Sequence, residues 1–137
     1  MKTLANCKPT EFMTQTVKIK KAAEKWLKLT DIFGIRNRVP EGLPEITKDM
    51  TEDEKETVKK ERMDIIRQRS LDNASAIFDA CFEAHPAETL EVIALCCFIE
   101  PEDIDNHETK ELFNAALEMA EDETVIRFFT LLMRLGN

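Results

Sequence analysis

Hydrophobic and small side chains recur near the start of the chain at spacings of four and three residues, which is the period of one helix face. The positions that follow this spacing are Phe12, Thr16, Ile19, Ala23 and Trp26. Pro9 suits a first helical turn because its missing N–H is not needed there, and Glu11 complements the helix dipole. The pattern therefore predicts a first helix from near Pro9 to near Lys28, with one broad buried stripe.

A second long helix is predicted after a loop at about residues 39–50, which is rich in proline and glycine. Residues 30–39, just before that loop, have room for one helical turn. Thr51 and Glu54 have the spacing of a capping box, in which a hydroxyl and a carboxylate satisfy free backbone N–H groups. The second helix is predicted to run from there to Ala84. Its face continues the three/four spacing at Met63, Ile66, Ser70, Ala74, Ile77 and Cys81, joined by Phe78 and Phe82.

Three further helices are predicted in the remainder of the chain. The segment between Pro86 and Pro101 is apolar on all sides, which favours a central and most buried helix. The acidic residues 102–106 are predicted to cap a fourth helix, and Asp122 to cap a fifth that stops at Gly136. The amphipathic face of the fourth helix consists of Leu112, Phe113, Ala116, Leu117 and Ala120.

The composition supports a helical fold as well. Three glycines and five prolines are too few for the many tight turns of a sheet. We therefore expect an all-α protein, a compact bundle of about five helices around a central apolar helix, with residues 1–137 as a single domain.

Charge is distributed unevenly along the chain. Residues 1–69 hold 16 Lys and Arg against 12 Asp and Glu, a net of +4, whereas residues 70–137 hold 3 against 15, a net of −12. The longest apolar run, 92–99, is far shorter than the roughly 20 residues that span a bilayer, and no apolar signal segment precedes the first cysteine. These features predict reduced cysteines and a cytoplasmic protein that does not enter the membrane.

No catalytic or metal-binding pattern stands out. The alternation Asp103-x-Asp105 lacks the glycine and the terminal glutamate of a calcium loop, and Cys81 with His85 has no second ligand pair at a zinc-like spacing. His85 and His107 both fall at predicted helix starts, away from any glycine-rich turn. The sequence therefore predicts a protein that is not an enzyme, with no cofactor and no metal.

A lysine stripe is the sharpest local pattern, because its members follow a 3-4-3 spacing along one side of the first helix. Its members are Lys18, Lys21, Lys25 and Lys28. A solvated helix face, docking on an acidic partner and docking on the acidic half of the chain all explain such a stripe. Nucleic acid is disfavoured, because no arginine and aromatic pattern accompanies the lysines and the net charge is −8.

The last predicted helix has apolar residues on more than one face. It is either a core helix, or it presents a surplus apolar face to a partner or to a second copy of the chain. Its candidate binding residues are Phe128, Phe129, Leu132 and Met133.

Three segments together suggest a resemblance to a known class of protein: LANCKPTEF at 4–12, ALCCFIEPED at 94–103 and FFTLLMRLG at 128–136. In these the chain resembles the small acidic helical proteins of the tail-morphogenesis cluster of phages that infect Gram-positive gut bacteria. Tail assembly chaperones are the usual assignment among them. The resemblance spans most of the chain but includes no catalytic motif, and it transfers no site residue.

The resemblance implies a prophage protein in the host cytosol that binds other phage tail proteins. Its expected client is the long, helical tape-measure protein, which a chaperone keeps soluble until tail-tube subunits assemble around it. The alternative is a self-associating structural or connector component of a phage particle, also non-enzymatic, so a homo-oligomer stays open.

Overall fold

The computed structural model describes residues 1–136, of which 76% are helical, and none of these residues lies in a strand. Five helices are seven residues or longer, which confirms the predicted all-α class. The helices are α1 (Pro9–Thr30), α2 (Ile32–Arg36), α3 (Glu52–Phe78) with a π-helical continuation (Asp79–Ala84), α4 (Pro86–Cys96), a 3-10 helix (Pro101–Asn106), α5 (Thr109–Glu121) and α6 (Glu123–Leu135).

Internal contacts group the chain into two compact units. The first unit comprises residues 1–28 and 86–137, and the second comprises residues 29–85. The expectation of one domain over residues 1–137 stays a prediction. Within the described residues, no helix combines the length and the apolarity needed to cross a membrane.

The first unit is held together by a core to which distant parts of the chain contribute. Leu4 from the amino-terminal segment, Ile19 from α1, Cys96 from α4 and Val125 from α6 form one buried cluster. A second cluster joins α4, α5 and the segment between them through Ala94, Cys97, Ile99, Leu112 and Ala115. Ala94 and Cys97 are 0% and 2% exposed, so the most deeply buried residues belong to α4 and the turn after it, as predicted.

Polar contacts fix α1 on α4. The indole Nε1–H of Trp26 donates to Thr89 Oγ1 at 2.9 Å, and Gln15 Nε2 donates to the carbonyl of Leu95 at 2.7 Å. Thr89 and Gln15 are both buried, so these bonds satisfy groups that would be costly to leave unpaired. At the start of α1 the carboxylate of Glu11 accepts from the backbone N–H of Lys8 at 3.1 Å, which explains the predicted start.

α4 ends at Cys96, a few residues earlier than predicted. Phe98 adopts a left-handed backbone with φ of 55°. Its N–H donates to the carbonyl of Leu95 at 3.3 Å, and the N–H of Ile99 donates to that of Ala94 at 2.9 Å. These two bonds make a Schellman motif, which usually has glycine at the left-handed position. Here a phenylalanine adopts it because the ring packs against the core cluster of the first unit.

The acidic segment after α4 does not cap the next helix, so that prediction was wrong. Residues Pro101–Asn106 form a 3-10 helix of their own, and Ile104 packs against the core. The residue that precedes α5 is Glu108, whose side chain makes no capping bond. The predicted cap of α6 is confirmed, since Asp122 Oδ1 accepts from the N–H of Val125 at 2.9 Å.

The second unit consists of α2, the loop, α3 and its π-helical end. Thr51 Oγ1 accepts from the N–H of Glu54 at 3.2 Å, as expected for half of a capping box. The loop is held along α3 by Arg62 and Asn73, whose side chains donate to backbone carbonyls of the preceding segment. The helical run to Ala84 is confirmed, but its last six residues are π-helical.

Candidate protein-binding surface

Three phenylalanine rings connect α1 with α6. Phe12 contacts Phe128 edge to face, with centroids 5.1 Å apart, and lies 6.5 Å from Phe129. Phe128 and Phe129 contact each other at 5.4 Å. Such contacts restrict the rings to few orientations, so this aromatic cluster holds the middle of α6 in a defined position on α1.

A cleft of about 400 Å³ opens beside the aromatic cluster. Its walls are mainly apolar and come from the amino-terminal segment, α1 and the first turns of α6. The principal side chains are Leu4, Cys7, Phe12, Met13, Val125 and Phe128. Asp122 and Thr124 add polar atoms to the lining. The cleft can therefore bind an apolar side chain and hydrogen-bond an adjacent polar group.

Beyond the cleft, α6 leaves the core and its apolar side chains become exposed. Val125 is 7% exposed, whereas Leu132 and Leu135, further along the helix, are 45% and 75% exposed. At about 100° per residue, Phe128, Leu131, Leu132 and Leu135 share an arc of about 100°. We call these four residues the α6 apolar face. Phe128 belongs both to this face and to the cleft, so the two form one continuous surface.

The four predicted binding residues of α6 differ from one another in position and exposure. Phe128 and Leu132 lie on the α6 apolar face, and Phe129 is half-buried in the aromatic cluster. Met133 is 69% exposed but lies about 100° around the helix from Leu132. The sequence allowed either a core helix or a helix with a surplus apolar face. The first turn of α6 belongs to the core, and the last two turns have exposed apolar residues.

The lysine stripe is exposed along its whole length. Lys18, Lys21, Lys25 and Lys28 occupy an arc of about 80° on the side of α1 opposite Ile19 and Ala23. Lys20, which lies off this arc, forms an ion pair with Glu24 at 3.8 Å. Whether the stripe docks on a partner stays a prediction.

Sequence patterns alone missed Leu4, Cys7, Phe12 and Met13 as surface-forming residues. Phe12 and Met13 follow the helical period of α1, and only the fold shows that they meet α6. Leu131 and Leu135 carried a signal, because they fall at the helical spacing of Phe128 and Leu132.

The four cysteines are present as thiols, with Cys7 half-buried and the other three buried. Burial, with a smaller contribution from the neighbouring Cys97, raises the pKa of the Cys96 thiol to about 12. Burial also raises the pKa of Cys97. Both thiols therefore stay protonated at neutral pH and act as small apolar core groups. Within residues 1–136, no group of three or more His, Cys, Asp and Glu side chains is arranged to hold a metal ion.

Comparison of the chain with protein-family models, with curated proteins and with solved structures gives no match.

Proposed function

We propose that this protein is a tail-assembly-chaperone-like binding protein, which holds an amphipathic helix of a client such as the phage tape-measure protein. The observation that carries the proposal is the continuous surface formed by the cleft and the α6 apolar face. The sequence resemblance to phage tail-morphogenesis proteins supports the choice of client.

The spacing of the exposed side chains fits a helical client. Phe128, Leu131, Leu132 and Leu135 are separated by three, one and three residues, so they line a strip about 10 Å long that continues into the cleft. An amphipathic helix inserts apolar anchors at positions i, i+3 or i+4 and i+7 into such a strip. Each exposed leucine that becomes fully covered stabilises the complex by up to about 1.5–3 kcal/mol.

The two ends of the surface differ in rigidity. The aromatic cluster and the cleft are fixed by packing against the core, which lowers the entropic cost of seating the first anchor. Leu131 and Leu135 are 54% and 75% exposed, so their side chains can adapt to different client side chains. A chaperone that binds many similar segments of one long helical client benefits from this combination.

Charge is expected to guide the client to the surface. The lysine stripe lies on α1, the same helix that contributes Phe12 and Met13 to the cleft. We expect it to attract acidic flanks of the client helix, while the acidic carboxyl-terminal half keeps the complex soluble and steers basic client segments. The proposal includes a cytoplasmic location in the bacterial host and a non-enzymatic role.

The proposal is tested by co-expression and pull-down with the tape-measure protein of the same gene cluster. The wild type is expected to retain the client. Leu131→Asp combined with Leu135→Asp is expected to weaken retention by about a hundredfold or more, because the complex would bury two carboxylates in an apolar contact. Both residues are exposed, so the variant should fold, and circular dichroism checks this.

Thr130→Asp is the matched control. It adds a carboxylate to the same helix on the polar side, where Thr130 is exposed, and should leave client binding unchanged. Absence of association at all salt concentrations, or equal binding by the Leu131/Leu135 variant, contradicts the proposal. Recovery of the protein from purified particles at a fixed stoichiometry would favour the self-associating structural component instead.

A further inference from the structure

A single carboxylate belongs to the mainly apolar cleft between α1 and α6. Among the described residues that line this cleft, Asp122 is the only charged one. It is half-buried and immediately precedes α6. Its Oδ1 accepts from the N–H of Val125 at 2.9 Å, so the helix cap holds the side chain in a defined position. The cleft therefore has a fixed negative charge at one end.

The carboxylate of Asp122 has hydrogen-bonding capacity that the fold does not use. Its two oxygens can accept about four hydrogen bonds. Within residues 1–136, the side chain accepts the cap bond from Val125 and pairs with no basic side chain. A carboxylate accepts hydrogen bonds and does not donate them. The group that completes its bonding must therefore be a donor.

The charges around the cleft leave this end negative. Lys2 pairs with Glu11, and Arg127 pairs with Glu123, so two nearby cations already have partners. Lys8 is exposed and does not line the cleft. The amino-terminal end of a helix favours an anion, but its dipole amounts to only about half a positive charge. One carboxylate therefore outweighs the helix dipole, and a cation is attracted to this end of the cleft.

We infer that the cleft binds a basic side chain of the client, either lysine or arginine. Both side chains have a long aliphatic stem, which packs along apolar surface while the charged head stays with polar groups. The stem contacts Leu4, Phe12 and Phe128, and the head donates to Asp122. Hydrogen bonds between an ionised donor and a carboxylate are about twice as strong as neutral ones, so a cation is preferred to an amide or a hydroxyl. The inference rests on the proposed function for the identity of the client, but not for the chemistry of the cleft.

The position of Asp122 also orients the client helix. Asp122 and Leu135 are 13 residues apart at opposite ends of α6, a distance of about 20 Å along the helix axis. Phe128 lies between them and belongs to both the cleft and the α6 apolar face. A client helix that covers this face therefore has its basic residue over the start of α6 and its apolar anchors towards the end of α6.

Three small probes with the same six-carbon chain test the chemistry of the cleft: hexylammonium, hexanol and hexanoate. Their binding to the full-length protein is measured by NMR titration at neutral pH. Hexylammonium is expected to shift the signals of Leu4, Thr124 and Val125. Its dissociation constant should be about fivefold lower than that of hexanol, because a hydrogen bond between charged groups replaces a neutral one. Hexanoate should bind more weakly than hexanol, since it places a second carboxylate beside Asp122.

Asp122→Asn separates the negative charge from the helix cap. Asparagine can still accept from the N–H of Val125, so the variant should fold, and circular dichroism checks this. It should bind hexylammonium and hexanol equally. Glu108→Gln is the matched control, because it removes one charge from the residue before α5, about 20 Å away along that helix, and should keep the preference. Equal binding of the two probes by the wild type, or an undiminished preference in Asp122→Asn, overturns the inference.

Pull-down with the tape-measure protein distinguishes this inference from the proposed function. Asp122→Asn is expected to reduce client retention about fivefold at low salt, whereas Glu108→Gln should retain the client as the wild type does. Equal retention by Asp122→Asn and the wild type overturns the basic anchor and leaves the client-binding proposal standing. Absence of retention by the wild type contradicts the proposed function, and the preference for hexylammonium then decides alone whether the cleft selects a cation.

Discussion

The ring of Phe12 in α1 contacts the ring of Phe128 in α6 at 84°, with centroids 5.1 Å apart. Edge-to-face pairs add about 0.5–1.5 kcal/mol beyond the area that they bury. Phe128 is 37% exposed and is the first residue of the α6 apolar face, so its contact with Phe12 restricts the orientation of the first ring of that face. The contact joins residues 116 positions apart in the chain.

Phe12→Leu is expected to lower the free energy of unfolding by about 1–2 kcal/mol, because an apolar volume remains but the ring contacts are lost. Urea denaturation of Phe12→Leu, Phe128→Leu and the double variant measures their coupling. We expect a coupling energy of about 0.5–1.5 kcal/mol between the two sites. Additive effects would mean that the two rings do not stabilise each other.

The hydrogen bond from Trp26 to Thr89 is expected to stabilise the fold. Thr89→Val keeps the side-chain shape but removes the acceptor of the indole N–H, and Thr89 is 8% exposed. We expect a loss of about 1–3 kcal/mol, measured by urea denaturation. Thr14→Val is the control, because Thr14 is exposed on α1 in the same first unit, and it should change the free energy of unfolding by less than about 0.5 kcal/mol. Equal effects of the two substitutions would contradict this role of the bond.

The helix starts could be predicted from the sequence because their signals are local. Pro9, Thr51, Pro86 and Asp122 each mark a start within one or two residues. The end of α4 could not be predicted, since a phenylalanine at position 98 adopts a backbone conformation that favours glycine, and packing with distant residues stabilises it. The capping of α5 failed for a related reason: the acidic segment forms its own 3-10 helix.

The candidate binding surface could be predicted only in part. Periodicity placed Phe128 and Leu132 on α6, but it could not show that Val125 is covered while Leu132 is not. Nor could periodicity show that the side chains of Met63 and Ile66 in α3 are exposed. Residue spacing identifies a helix face, but it does not identify which other residues cover that face. The cleft was missed because Leu4 meets Val125 only through the fold.

The lysine stripe provides a prediction that rests on the proposed function. Lys21→Glu combined with Lys28→Glu should slow client association, most at low ionic strength, and leave the dissociation rate nearly unchanged. Surface plasmon resonance at several salt concentrations measures both rates. Lys20→Glu, which lies off the stripe on the same helix, is the control. An equal slowing by the control would mean that only net charge matters.

The buried thiol of Cys96 makes the fold sensitive to alkali. Burial raises its pKa from the ordinary value of 9.0 to about 12 in the folded chain. Between these values the unfolded chain has lost this proton and the folded chain retains it, so stability falls as pH rises, by up to about 1.4 kcal/mol per pH unit. Below pH 9.0 the thiol is protonated in both the folded and the unfolded chain, so it causes no loss of stability there. Urea denaturation from pH 7 to pH 10 measures this dependence. The free energy of unfolding is expected to decline less steeply with pH for Cys96→Ala than for the wild type. The cavity left by the substitution lowers stability equally at every pH, so it does not change the slope. Cys7→Ala, at a half-buried position, is the control for removing a thiol. A decline of equal slope in Cys96→Ala and the wild type would show that other groups cause the alkaline sensitivity.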